Sequence, residues 1–257
     1  MSEPDRLSVA GIELEVVRRG AGPPLVFLHG MQTVDPSAAF LDALGRHAGV
    51  IAPSSPGFGR SPRPADIDTV YDLVRLHLEL IDGLDQPPIL VGHSFGGWLA
   101  AELAVVASPR IAKLVLVDAF GIKLGDRETA DILDVFNTAP ATVKRAAWHD
   151  PAAAPDFDEM TDDQIAAHAR SWEALCLYGW KPYMYNPQLK RWLRRIAVPT
   201  LVLWGEQDGI VTPSYGRAYA GLIPGARFET IARAGHSPHL EQPDAFADAV
   251  LRFIRER

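Results

Sequence analysis

The chain has a single cysteine, Cys176, among its 257 residues, so no disulfide can form within it. It also lacks the run of about 20 apolar residues that a membrane-spanning helix requires. The segment from Met1 to Val9 shows no basic-then-apolar leader pattern. We therefore expect a cytoplasmic protein that does not bind a membrane, in which Cys176 is a small core residue.

An excess of positive charge is missing as well. The chain carries 25 basic and 32 acidic residues, a net charge of −7, and no basic run is interleaved with aromatic side chains. Proteins that bind nucleic acids neutralise phosphates with clustered lysine and arginine. The sequence therefore predicts no nucleic-acid partner, and the basic stretch 190–195 is interpreted as a solvated face. Steering of an anionic substrate is the minority alternative for that stretch.

Metal-ligand spacing is also missing. The eight histidines include no pair arranged as in H-E-x-x-H, and the one cysteine offers no thiolate cluster. We expect neither a metal nor another cofactor.

Of the residues that are present, 47% are hydrophobic, which is enough for one sizeable core. The pattern of these residues along the chain indicates an α/β fold. Alternating apolar residues over 6–18, around Ala10-Gly11, predict an antiparallel hairpin. Continuous apolar runs are typical of parallel strands that are buried on both faces. Such runs are found at 25–28, 50–52, 89–91, 114–117 and 201–204, and helical spacing at 69–84, 95–107 and 242–255. This alternation predicts a mostly parallel, doubly wound sheet.

One segment interrupts the alternation. Residues 122–192 contain no strand-like run, but proline-punctuated helical pieces rich in aromatic residues. We interpret this segment as a helical cap inserted between two sheet strands, with residues 1–121 and 193–257 forming the core domain. A cap in that position covers the carboxyl ends of the strands, where open α/β sheets bind ligands.

The segment Gly92-His93-Ser94-Phe95-Gly96 has the pattern G-x-S-x-G. It follows the apolar run 89–91 and precedes the helical segment 95–107. A serine on such a strand-to-helix turn projects its hydroxyl above the sheet, and the helix N-terminus directs backbone N–H groups at the same place. Ser94 is therefore the candidate nucleophile, and the alternative is an ordinary glycine-rich turn.

A nucleophilic serine requires a base, and the base requires a carboxylate that orients it. His236, in Gly235-His236-Ser237-Pro238, and Asp208, just past the run 201–204, both follow predicted strands. Asp118, at the end of the run 114–117, is kept as an alternative acid. The chain order Ser, Asp, His is that of α/β-hydrolases.

These motifs resemble those of the α/β-hydrolase family over nearly the whole chain. The segments that resemble family motifs are 27–30, 56–61, 92–97, 205–211 and 235–238. The resemblance implies a Ser94–His236–Asp208 triad and an oxyanion hole formed by the backbone N–H groups of Met31 and Phe95. Two departures are that Ser54 stands where many relatives have aspartate, and that 29–32 lacks an extended glycine run.

Substrate-pocket candidates were chosen for their closeness to the predicted catalytic loops or for their place in the cap. They are His29, Trp98, Phe120, Trp148, Trp180 and Tyr183. His29 has a second interpretation, in which its ring nitrogens tie down the loop that follows the first parallel strand.

The leading functional hypothesis is hydrolysis of a small or medium carboxylic ester through an acyl-enzyme, by a monomer or homodimer. The same triad also serves relatives that hydrolyse carbon–carbon bonds of ring-fission products, lactonases and perhydrolases, and these form the first alternative. A non-catalytic small-molecule binding protein on this fold is the second. Cofactor-free oxygen chemistry is a third, and it requires that Ser94→Ala keeps activity.

Overall fold

The computed structural model describes residues 5–256. Residues 1–4 of the segment from Met1 to Val9, and Arg257, lie outside the described residues. In the described part, eight strands form one sheet in the order β1-β2-β4-β3-β5-β6-β7-β8. The strands are β1 (Arg6–Val9), β2 (Ile12–Arg19), β3 (Pro24–Leu28), β4 (Gly49–Pro53), β5 (Ile89–His93), β6 (Lys113–Val117), β7 (Thr200–Gly205) and β8 (Arg227–Ile231).

The sheet is mostly parallel, which confirms the fold predicted from the sequence. Strand β2 pairs antiparallel with both β1 and β4, and every other neighbouring pair is parallel. The β1–β2 hairpin turns at Ala10-Gly11, and both residues have positive φ, 49° and 79°. A two-residue hairpin turn of that hand suits the twist of the flanking strands.

Helices lie on both faces of the sheet. They are α1 (Ala39–Gly45), α2 (Val70–Asp82), α3 (Phe95–Ala107), α4 (Pro140–Ala147), α5 (Asp162–Gly179), α6 (Leu189–Trp192), α7 (Pro213–Gly221), α8 (Pro238–Glu241) and α9 (Pro243–Arg255). Short 3₁₀ turns occupy Ser108–Arg110, Pro151–Ala153, Phe157–Glu159 and Leu193–Arg195.

The continuous apolar runs are explained by two separate cores. Leu25 and Phe27 of β3 point into a core shared with α1 and α9, whereas Val26 and Leu28 point into the core shared with α2, α3 and α7. Successive side chains of a strand alternate between faces, so a strand covered on both faces needs apolar residues throughout.

The chain between β6 and β7 contains α4, α5 and α6. Tyr178 of α5 donates its hydroxyl towards the carbonyls of Pro56 and Ile67, at 3.2 Å each, and Arg170 donates to the Gly59 carbonyl at 2.8 Å. This segment is therefore fastened to the loop after β4. The domain bounds 1–121, 193–257 and 122–192 stay a prediction. No helix within residues 5–256 combines the length and the apolar character needed to cross a membrane.

Candidate active site

Ser94 occupies a strained turn between β5 and α3. Its backbone angles are φ 54° and ψ −115°, a conformation that residues other than glycine rarely adopt. Its N–H donates to the Val117 carbonyl at 2.8 Å, and its carbonyl accepts from Trp98 and Phe120 at 3.2 and 3.1 Å. Because neighbouring elements fix both sides of this peptide segment, the turn holds the Ser94 hydroxyl in one place.

The glycines around Ser94 are required by space. A Cβ on Gly92 would lie 2.3 Å from the Gly96 carbonyl oxygen, and one on Gly96 would lie 2.1 Å from the Leu28 carbonyl oxygen. Both contacts are with backbone atoms, which cannot move aside cheaply. The G-x-S-x-G pattern is therefore a packing requirement of this turn, which accounts for its sequence signal.

Three side chains from separate loops form a chain of hydrogen bonds. His236 Nδ1 lies 2.8 Å from Asp208 Oδ2, and His236 Nε2 lies 2.8 Å from Ser94 Oγ. A carboxylate only accepts hydrogen bonds, so Nδ1 carries the proton and Nε2 of the neutral ring accepts the serine proton. The other oxygen of Asp208 accepts from the N–H groups of Ile210 and Val211, at 2.8 and 3.1 Å.

This arrangement is almost closed to solvent. The Asp208 side chain has no exposed surface, the His236 side chain is 12% exposed, and Ser94 is buried. The ring of Phe120 stacks on the imidazole of His236, with centroids 5.3 Å apart and planes 18° apart. Phe120, a predicted pocket residue, therefore limits how the imidazole can turn.

The segment predicted to supply one oxyanion donor lies directly above Ser94. A Cβ on Gly30 would come within 3.0 Å of the Ser94 Cβ. The N–H groups of Met31 and Phe95 have no acceptor anywhere in residues 5–256. The first of them follows Gly30 and the second begins α3, so both belong to segments that adjoin Ser94.

His29 holds the loop after β3 in place. This is the second of the two roles that the sequence analysis gives for His29. Its Nδ1 lies 2.7 Å from the Gly30 carbonyl, and its Nε2 accepts from the Ser55 N–H at 2.9 Å. Burial lowers the pKa of His29 to about 4, so the ring is neutral. Both ring nitrogens are used in fixing the loop that carries Met31.

A second histidine, His93, supports the loop that carries His236. His93 Nε2 lies 2.6 Å from the main-chain carbonyl of His236, and the His239 ring packs on His93 with centroids 4.4 Å apart. Burial lowers the pKa of His93 well below its ordinary value, and lowers that of His239 to about 3. Both rings are therefore neutral.

The end of α4 and the residues after it are bonded to both catalytic loops. The Ala146 carbonyl accepts from Gly209, next to Asp208, at 2.8 Å, and the Ala147 carbonyl accepts from the His236 N–H at 2.7 Å. Glu241 completes the contact, since its two oxygens accept from the N–H groups of Gly235 and His149, at 2.8 and 2.7 Å. Main-chain acceptors leave no residue pattern, so sequence reasoning missed them.

The other pocket candidates lie in different surroundings. Trp98 is buried and donates from its ring to Glu102 at 3.1 Å. The Tyr183 hydroxyl joins the Leu133 carbonyl and the Val135 N–H, at 2.7 and 2.8 Å. Trp180 is 58% exposed. Trp148 directly follows α4 and is partly buried.

Asp118, the alternative acid, is also brought to the site. It is fully buried at the end of β6, and its Oδ1 accepts from the Gly205 N–H at 2.8 Å. Ligand atoms of Asp118, Asp208 and His236 lie within 4.8 Å of one another, close enough to surround a metal ion. However, His236 Nδ1 is already bonded to Asp208, so two of the three side chains are engaged with each other.

Comparisons with known proteins agree with the fold. A family model described as "Alpha/beta hydrolase family" matches residues 25–249. The chain is 29% identical to a 2-hydroxymuconate semialdehyde hydrolase of Pseudomonas sp. (strain CF600), over 96% of this chain and 92% of that protein.

Solved structures give the same fold. A variant of a meta-cleavage product hydrolase (CumD) superposes with a TM-score of 0.80 at 24% identity, covering 99% of this chain and 98% of that one. An enol-lactonase of Burkholderia xenovorans LB400 superposes with a TM-score of 0.74 at 24% identity, covering 98% of this chain and all of the other. The resemblance drawn from the sequence motifs is thus confirmed: the chain belongs to the α/β-hydrolase family.

Proposed function

We propose that this α/β-hydrolase cleaves its substrate through an acyl-enzyme formed on Ser94, with His236 as general base and Asp208 as the residue that orients it. The observation that carries this proposal is the pair of 2.8 Å hydrogen bonds that joins the three side chains. Both are within the reach expected for a nucleophile, its base and the group that orients the base.

The chemistry follows from the positions of the protons. Ser94 Oγ attacks a carbonyl carbon while its proton passes to His236 Nε2, and Asp208 stabilises the imidazolium. As the tetrahedral intermediate collapses, the bond to the leaving group breaks and His236 returns the proton to that group. Water then attacks the acyl carbon, again with His236 as base, and regenerates the Ser94 hydroxyl.

We propose the free N–H groups of Met31 and Phe95 as the oxyanion hole. In the tetrahedral intermediate the carbonyl oxygen becomes an anion, and preorganised donors stabilise it more than they stabilise the substrate. Losing one such donor costs about 3 kcal/mol in other enzymes. The cap is proposed to cover the bound substrate, a small molecule.

For the bond cleaved, we propose the carbon–carbon bond of a ring-fission product, the alternative named in the sequence analysis. Support comes from the 29% identical relative, named for 2-hydroxymuconate semialdehyde, whose length this chain nearly spans. In this reaction the dienol first tautomerises, so that the departing carbon gains a proton and the enol oxygen becomes a carbonyl. Ser94 then attacks the keto carbonyl that adjoins this carbon. When the carbon–carbon bond breaks, its electron pair passes to the new carbonyl and gives a dienolate, which takes a proton from His236. The acyl group that stays on Ser94 is then released by water.

Carboxylic ester hydrolysis, the leading sequence hypothesis, is the second candidate. It is favoured by the fact that an alkoxide leaving group needs nothing beyond the three side chains and two N–H donors described above. Carbon–carbon cleavage additionally requires protonation of a carbon atom. Hydrolysis of a lactone needs the same groups as hydrolysis of an ester. The difference is that the leaving oxygen of a lactone stays attached to the acyl chain.

Turnover of two substrate sets separates these candidates. One set is a series of meta-cleavage dienoates with different acyl groups, and the other is a series of p-nitrophenyl esters of graded acyl length. We expect kcat/KM to be highest for a dienoate, and Ser94→Ala to abolish turnover of both sets. Preference for an ester would assign ester hydrolysis instead.

Two further outcomes contradict the whole proposal. If folded protein turns over neither set and does not react with a fluorophosphonate, the chain is a binding protein. If Ser94→Ala retains full activity, the chemistry does not pass through an acyl-enzyme on Ser94.

A further inference from the structure

A second carboxyl group, that of Asp118, adjoins the triad and takes no part in the reaction described above. It lies at the end of β6, has no exposed surface, and has a backbone φ of 45°. Its N–H donates to the Leu203 carbonyl at 3.1 Å and its Oδ1 accepts from the Gly205 N–H at 2.8 Å. The strand end and the neighbouring strand β7 therefore fix both its main chain and one carboxyl oxygen.

The other oxygen of Asp118 has no donor. Oδ2 is buried and has no hydrogen-bond partner that can donate within residues 5–256. The charged groups facing Asp118 are Asp208 on the loop after β7 and Glu241 of α8, both acidic. His236 completes the cluster, with its ring bonded to Asp208.

Two ionised carboxylates cannot share this place at low cost. An anion removed from water needs a donor or a cation for each oxygen. Two carboxylates that share a buried site hold one proton between them. Asp208 already accepts hydrogen bonds from the N–H groups of Ile210 and Val211 and from the Nδ1–H of His236. It is therefore the better-stabilised anion of the two.

We propose that Asp118 is a positioning residue held as a neutral carboxylic acid, which donates its proton in a hydrogen bond to the Asp208 carboxylate. The pair then carries one negative charge, and Asp208 gains one further donor that holds it in place. This proposal rests on the triad role of Asp208 proposed above.

The surroundings of Asp118 favour the same protonation state. Burial raises the pKa of Asp118 well above its ordinary value, and the negative charge of Asp208 raises it further. The hydrogen bond from the Gly205 N–H lowers the pKa of Asp118, but it reaches only Oδ1. Burial and the charge of Asp208 both favour the protonated form of Asp118, the form that the proposal requires.

The replacement Asp118→Asn copies the proposed state. The amide oxygen can accept from Gly205 while the amide NH₂ donates to Asp208, and the charge of the pair is unchanged. We expect the rate of Ser94 modification by a fluorophosphonate to stay within about twofold of wild type. The pH midpoint of the acidic limb of this rate should also stay where it is.

The replacement Asp118→Ala removes the donor. We expect it to slow modification of Ser94 at least about tenfold, since a misplaced orienting group costs one to two orders of magnitude. Urea unfolding of both variants separates a loss of positioning from a loss of folding.

Infrared difference spectroscopy tests the protonation state without any turnover. The difference between wild type and Asp118→Asn at neutral pH should contain the C=O stretch of a protonated carboxylic acid. A carboxylate band in its place would overturn the proposal. So would an acidic limb that moves down by about one pH unit in Asp118→Asn, because that shift reports loss of a negative charge beside the imidazole.

The failure of the proposed function has a different signature. If Ser94 does not react with the fluorophosphonate in the wild type, the triad assignment fails. The infrared band still decides whether Asp118 is protonated.

Discussion

His93 and His236, separated by 143 residues in the chain, are joined by a 2.6 Å hydrogen bond from the ring of one to the main-chain carbonyl of the other. A carbonyl only accepts, so His93 Nε2 carries a proton and its neutral ring cannot change partners. The residue before Ser94, the proposed nucleophile, thus holds the loop of His236, the proposed base.

Replacing His93 tests this support. In His93→Phe the ring volume is kept and the donor is lost, so we expect kcat to fall about tenfold or more because the base loop is less well positioned. In His93→Gln the side-chain amide can replace the donor, and we expect most of kcat to return. Equal activity of wild type and His93→Phe would show that the bond does not position the base.

The contact between α4 and the catalytic loops gives a second prediction. A Cβ on Gly235 would lie 2.4 Å from the Ala147 carbonyl oxygen, the group that accepts from the His236 N–H. Gly235→Ala should therefore push the base loop away from the cap and lower kcat/KM about 100-fold.

Gly221→Ala is the matched control for this replacement. Gly221 ends α7, and a Cβ there meets nothing within 4 Å. We expect unchanged kinetics and a small gain in stability, because alanine is the better helix former. If Gly235→Ala is as active as this control, the cap contact is not needed for catalysis.

The strained backbone of Ser94 gives a third prediction, on stability. Ser94→Ala keeps the Cβ and hence the strain at φ 54°, whereas Ser94→Gly relieves it. Strain of this kind costs about 1–3 kcal/mol of folding free energy. Part of the gain from glycine is offset, because glycine also increases the conformational entropy of the unfolded chain. We expect the free energy of unfolding of Ser94→Gly to exceed that of Ser94→Ala by about 1 kcal/mol. A less stable glycine variant in urea unfolding would contradict this.

The strand–nucleophile–helix unit could be predicted from the sequence because its determinants are local. An apolar strand, two glycines without room for a Cβ and an apolar helix all lie within 89–107, and the structure places α3 at Phe95–Ala107. The positions of Asp208 and His236 after predicted strands, together with the resemblance to the α/β-hydrolase family, predict the other two residues of the candidate triad.

The supports of that site could not be predicted, for a physical reason. Ala146 and Ala147 act through carbonyl oxygens, which every residue possesses. The sequence places His93 and Asp118 near the candidate site, but their partners are far away in the chain and only the packed sheet brings them together. The short helix α1 lacked a pattern long enough to be recognised.

The buried histidine His239 gives a prediction on pH and stability. It packs among Phe27, Phe40 and Phe246, and burial lowers its pKa from 6.5 to about 3. The unfolded chain binds a proton at this residue below pH 6.5, while the folded chain does not. Stability is therefore lost as the pH falls through 6.5.

His239→Phe removes this contribution and suits the aromatic surroundings. Between pH 7 and pH 5 the wild type should lose about 2 kcal/mol more of its unfolding free energy than the variant loses. Urea unfolding at the two pH values measures the difference. Equal losses would mean that His239 is protonated in the folded protein.

The central claim, that Ser94 is the nucleophile activated by His236 and Asp208, is tested most directly by mapping a fluorophosphonate adduct by mass spectrometry. We predict one adduct per chain, on the peptide that contains Ser94, formed far more slowly in His236→Gln and absent in Ser94→Ala. An adduct on another residue, or one that forms equally fast in folded His236→Gln, would contradict the claim.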